Sequence, residues 1–188
     1  MRLSGKSFKT TGSFAGPIKY FGVMLLVLSS GCSHNAKRDK NTEWRIIEDA
    51  AVIAENYTAG HLKSYQRKVT PTGNIILTDG ERGFVIEKYS IKTGFIDGDK
   101  TKDAIVTVLH MKGDYVTGSE HLILLSLEGK LTLLRSVESD MKILNINNGI
   151  ITAKVPTHPR TSPLFNCESC QEIQNFRFID GDLVKVEK

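Results

Sequence analysis

Three aspartates, Asp97, Asp99 and Asp103, stand in the run "FIDGDKTKD" just ahead of the apolar stretch "AIVTV". Carboxylates two and four residues apart in a tight loop, with a backbone carbonyl near Thr101, can converge on one hard cation. Calcium suits such a loop because it takes about six to eight oxygen ligands. The same pentapeptide returns at Phe178–Asp182, where Val186 occupies the position equivalent to Asp103. That second copy needs nothing beyond a hairpin turn, since Asp-Gly readily adopts the positive φ that such turns demand. The expectation is a turn in both copies, with any calcium at the first held weakly.

Cysteine chemistry is the next candidate. The chain has three cysteines, and "CESC" places Cys167 and Cys170 close enough to pair. Redox chemistry of the thioredoxin kind needs the pair at a helix start after a parallel strand, whereas here a proline-rich loop precedes it and strand-like sequence follows. Zinc would require two further ligands, and only His158 is near in sequence. A structural disulfide is expected, shaping the loop "PTHPRTSPLFN" at 156–166. That loop carries His158, Arg160 and Phe165 among three prolines. Proline lowers the entropy lost on ordering, and Arg and aromatic side chains are favoured at protein contacts, so these three residues form a candidate partner-binding loop. The competing reading is a loop that covers a sheet edge. No catalytic motif of the HExxH, GxSxG or phosphate-loop kind occurs, and the histidines, His110 and His121 included, are scattered.

The elements that must position these residues follow from periodicity. From Thr42, apolar residues at Trp44, Ile46, Ile47, Ala50, Ile53, Ala54 and Tyr57 make a helical stripe ended by Gly60, with "HLKSYQRKV" as a possible further turn or two. Beyond Pro71 the pattern turns to short β segments such as "GFVIEKYSI", "AIVTVLHM" and "HLILLSL". Glu128-Gly129, Asn148-Gly149 and Asp180-Gly181 are tight turns between such segments, so neighbouring strands must be antiparallel. The reading is a single α+β domain, an N-terminal amphipathic helix packed on a curved antiparallel meander of seven to nine strands.

The N-terminus has a different character. Residues 1–31 hold Arg2, Lys6, Lys9 and Lys19 and no acid, and "YFGVMLLVL" is apolar but too short to span a bilayer. The formal charge of +4 therefore belongs to this leader: from residue 32 onward there are 21 basic and 21 acidic residues. A body with no excess of positive charge argues against nucleic acid as a partner. The junction "LSSGCS" resembles the lipobox of bacterial lipoproteins, with Gly31 before Cys32 and Ser29 at the position where Leu is usual. The resemblance implies a signal peptide over 1–31, lipidation of Cys32, a flexible tether over 32–41 and a globular domain over 42–188. In that family Ser33, where Asp would favour retention at the inner membrane, implies the outer membrane, facing the periplasm. The acyl chains on Cys32 would make the lipid bilayer the first partner.

The aspartate loop is similar to the Asp-rich loop of integrin-type β-propeller repeats. Asp97, Asp99 and Asp103 match the later three ligand positions, while Phe95 stands at the first. The resemblance spans this short segment only and implies weak calcium binding, with no cofactor required for folding. Taken together, the sequence points to a lipid-anchored envelope protein acting as a binding or structural module toward an envelope protein or wall component. The alternatives are an envelope enzyme with a dispersed site, hydrolytic or metal-dependent, and an inhibitor of a wall-degrading enzyme.

Overall fold

Strict alternation along two central strands decides the layering. The computed structural model describes residues 34–165 and 167–187; the expected signal peptide at 1–31 and the lipidation site Cys32 lie outside the described residues. Helix α1 spans His34–Ala59. Strands β1 (Gln66–Val69), β2 (Ile75–Thr78), β3 (Arg82–Ile86), β4 (Lys92–Gly94), β5 (Asp103–Lys112), β6 (Tyr115–Leu127) and β7 (Lys130–Glu138) make the first sheet. It runs β1-β2-β3-β5-β6-β7 and is antiparallel throughout, with β3 and β4 sharing one edge of β5. Strands β8 (Lys142–Asn147), β9 (Ile150–Pro156), β10 (Gln171–Ile179) and β11 (Asp182–Val186) form a second antiparallel sheet in chain order.

Residues of opposite parity on β5 and β6 serve different cores. Ala104, Val106 and Val108 of β5 and Leu122 and Leu124 of β6 meet Ala50, Ala51 and Ala54 of α1. Ile105, Ile123 and Leu125 point the other way and pack with Met141, Ile143, Ile151 and Ala153 around the second sheet. Both faces of these strands are buried, which is why their sequence reads as near-continuous apolar runs. The α+β class holds, in three layers: helix, seven-stranded sheet, four-stranded sheet.

Four local expectations change. One meander of seven to nine strands becomes, among the described residues, eleven strands in two sheets. The helix begins at His34, so the polar segment 34–41 expected as tether is helical. It ends at Ala59, and the possible further turns in "HLKSYQRKV" are replaced by β1 at Gln66–Val69. "GFVIEKYSI" is split by a 3-10 turn at Lys88–Ser90, because β3 and β4 must both reach β5.

The glycine turns have the backbone that their chemistry suggests. Glu128-Gly129, Asn148-Gly149 and Asp180-Gly181 all have positive φ at both residues, between 49° and 89°. Gly94 serves a different purpose: a Cβ there would sit 2.6 Å from Cβ of Ile146, so its absence lets β4 lie directly on β8. Cys167 and Cys170 are joined by a disulfide with Cα atoms 5.1 Å apart, just before β10.

Candidate functional site

Beyond the last buried alanine of α1, Ala54, the sheet face on the helix side turns polar. The same parity that buries Val106, Val108 and Leu122 brings His110 of β5, Glu120 of β6 and Ser136 of β7 onto the helix side. Phe84 of β3 sits opposite His110. Tyr57 reaches in from the last turns of α1, and His61 follows just after it.

Glu120 is the hub of this arrangement. Its side chain is almost wholly buried, and its carboxylate accepts hydrogen bonds from Tyr57 Oη at 3.1 Å, from His110 Nε2 at 2.9 Å and from Ser136 Oγ. A buried carboxylate without a partner would be costly, and three donors from three elements offset that cost. Burial is also the main cause that pushes the Tyr57 hydroxyl above its ordinary pKa; the Ser136 hydroxyl opposes it, and the charge of Glu120 adds to it. Rings extend the cluster outward: Tyr57 and His61 meet edge to face at 4.7 Å, and Phe84 and His110 at 5.3 Å.

Above this floor opens a cleft of about 590 Å³. Glu81, Arg82, Lys112 and Glu138 line its rim with both signs of charge. Arg82 is held by Asp79, whereas Glu81, Lys112 and Glu138 make no ion pair among the described residues. With Nε2 of His110 donating to Glu120, its Nδ1 is left as an acceptor, beside Gly118. A carboxylate that fixes the tautomer and orientation of an imidazole is what proton transfer or directional ligand binding requires.

His121, the very next residue, faces the opposite side. It is fully buried between the sheets, with Nδ1 3.1 Å from Thr107 Oγ1 and no hydrogen bond at Nε2 among the described residues. Burial drives its pKa down to about 4, against the opposing pull of the Met141 and Ser139 backbone and of the Glu120 and Asp140 carboxylates.

The structure gathers Asp97, Asp99 and Asp103 so that their ligand oxygens lie within 4.8 Å of one another. Their hydrogen bonds are those of a turn. Asp97 accepts from the Asp99 amide, and Asp99 accepts from the Thr101 amide and hydroxyl, which hold its carboxyl below the usual range. Asp103 is fully buried and bridges the amides of Ile96 at 2.7 Å and Ser126 at 2.9 Å. Burial pushes its pKa up, and those two amides pull it back. With Asp103 engaged by the backbone, melting curves recorded in chelator and in millimolar calcium are expected to nearly coincide. Binding at ten times the dissociation constant would add only about 1.4 kcal/mol. A domain that unfolds in chelator would overturn this.

Residues 156–165 of the proline-rich loop are folded back on the body through Arg160. Arg160 forks onto both carboxylate oxygens of Asp140 and stacks on Phe165, its guanidinium carbon 5.0 Å from the ring centre. His158 makes no hydrogen bond or ion pair among the described residues.

Sequence reasoning passed over Tyr57, Phe84, Glu120 and Ser136. One signal was present: Glu120 and His121 open the apolar run "LILLSL", and an acid entering a strand buried on both faces must find donors. Comparison with protein-family models, with curated proteins and with solved structures finds no match.

Proposed function

We propose that this chain is an exported cell-envelope protein, anchored by lipid on Cys32 at the outer membrane and facing the periplasm. Its domain of one helix and two antiparallel sheets acts as a binding module through the Glu120 cleft. The observation that carries the binding role is the built floor of that cleft: a buried carboxylate holding Tyr57, His110 and Ser136 in fixed directions under an open, mixed-charge rim. Preorganised polar groups at the base of a concavity lower the ordering cost of binding. The 156–166 loop supports a partner-binding role less well, because Arg160 is already committed to Asp140. The anchor is supported by the leader and by Gly31-Cys32; no described helix is long and apolar enough to cross a membrane.

One observation favours a second reading as an envelope enzyme. His110, oriented by Glu120 and lining the cleft, is a candidate general base. Conversion of a wall or envelope substrate that is lost in His110→Ala and kept in Arg160→Ala would select it.

Two measurements test the main reading. Metabolic labelling with a fatty acid is expected to mark wild type and not Cys32→Ala; equal labelling of both would remove the anchor. A photo-crosslinking residue at Thr117, on the cleft wall, is expected to give a discrete adduct in intact cells, weakened by Glu120→Gln. An adduct from Leu164 and none from Thr117 would move the binding site to the loop.

A further inference from the structure

Strand β6 outruns its neighbour. Strand β7 stops at Glu138, opposite Glu120, whereas β6 begins five residues earlier on its own side, at Tyr115. The last bond between the two runs from the Ser139 amide to the Ser119 carbonyl. Tyr115–Gly118 therefore pairs with β5 along one edge, and among the described residues no strand lies along the other. Such an edge is a template for a further strand unless charge or proline guards it. The sequence here is Tyr-Val-Thr-Gly, with neither, and its first three residues are good strand formers. Tyr115 is 80 % exposed and Val116 44 %, and a bulge inserts Thr117 into the register with β5.

The lane that β7 vacates has walls. A cavity of about 370 Å³ lies along it, lined by Thr117, Gly118 and Ser119 of β6 and by Ser139, Asp140 and Arg160. It shares His110, Thr117 and Glu138 with the Glu120 cleft, so the two adjoin. The charge at this junction is acidic. Glu138 stands directly opposite Glu120 on the neighbouring strand, and like charges so placed oppose folding. Glu81, Glu120 and Glu138 line the cleft against Lys112 and an Arg82 already held by Asp79. The histidines that line it, His61 and His110, are the other groups able to carry positive charge.

We infer that the free edge of β6 takes an extended peptide as an added strand, and that a lysine or arginine of that peptide reaches the Glu120–Glu138 pair. This rests on the reading of the Glu120 cleft as a binding site, and it names the partner as a basic peptide segment. Only another strand matches a row of unpaired amides and carbonyls, so the edge supplies affinity for any extended chain. The choice among chains comes from alternate side chains that enter pockets, and here the adjoining pocket is acidic.

The probe is a random linear peptide library displayed on phage and panned on the full-length chain held in detergent. Selected sequences are synthesised with a fluorophore and measured by anisotropy. They are expected to carry lysine or arginine among β-branched residues. Methylating alternate backbone amides of one such peptide should abolish binding in one phase and spare it in the other, because only every second amide of an added strand faces β6. Glu138 is exposed, so Glu138→Gln leaves the fold intact and should weaken binding about tenfold. Replacing the peptide's basic residue with glutamate should cost at least as much. Methylation patterns that act alike, or affinity unchanged by both charge substitutions, would overturn the inference. No selected peptide, alongside a discrete Thr117 adduct in intact cells, would overturn it and leave the cleft as the site of another class of ligand. Selected peptides that crosslink to a photoreactive residue at Leu164 and not at Thr117 would overturn the cleft and the inference together. A chain that sediments as a dimer and binds no peptide would assign the edge to a second copy instead.

Discussion

Replacing Asp103 with alanine is expected to destabilise the domain by about 2–6 kcal/mol, because it leaves one buried and one part-buried backbone amide without acceptors at about 1–3 kcal/mol each. Those amides belong to Ile96, in the loop after β4, and Ser126, near the end of β6, so one carboxylate ties three segments together. Asp103→Asn retains one carbonyl oxygen but turns an NH₂ group toward the other amide, and its cost should fall between wild type and alanine. Urea unfolding midpoints, read with unchanged m-values, are the measurement. An alanine variant that unfolds at the wild-type midpoint would show that the bridge contributes nothing. The comparison also separates the two readings of "FIDGD", since loss of a fold-building carboxylate costs the same stability in chelator as in calcium.

Acid is expected to weaken the fold through His121. In the folded state its imidazole stays neutral down to about pH 4, whereas in the unfolded chain it takes up a proton near the ordinary 6.5. Below that value the unfolded state binds the extra proton, so stability is fully present above about pH 6.5 and falls as the pH drops toward 4. Integrated over that window the loss is about 3 kcal/mol. Carboxylates titrate at the lower end of the same range, so the informative quantity is the difference between wild type and His121→Met, which fills the space without a titrating ring. Wild type should lose stability more steeply between pH 6.5 and pH 4.5 than the variant. Parallel pH profiles would show that His121 is not the group responsible.

Much of the β architecture was legible because its causes are local. Glu128-Gly129, Asn148-Gly149 and Asp180-Gly181 turn the chain wherever they stand, since the positive φ that a two-residue hairpin needs is set by the residues in the turn. The helical stripe through Ala50 and Ala54, and its end near Gly60, are likewise properties of a few successive side chains. The pairing of Cys167 with Cys170 needed only short spacing in the chain. What escaped was nonlocal. The break between β7 and β8 into two sheets leaves no mark in composition, because a strand buried by a helix and one buried by a second sheet carry the same apolar side chains.

The two copies of "FIDGD" show where sequence ends and tertiary structure begins. At the second, Asp180 and Gly181 have φ of 51° and 89° and form the hairpin that the residues demand. At the first, Asp97 has no positive φ while Gly98 has 84°, because Asp103 is drawn inward onto the Ile96 and Ser126 amides and the loop must span β4 to β5. The cleft follows the same logic on a larger scale. Tyr57 and Glu120 are 63 residues apart and meet only because α1 lies across β6, while Glu120 and His121 are neighbours that the pleat sends to opposite faces. Side-chain type and turn chemistry were decided residue by residue; which carboxylate is buried, and beside which donors, was decided by the packing of helix and sheets, since the cost of burying a charge is set by everything around it.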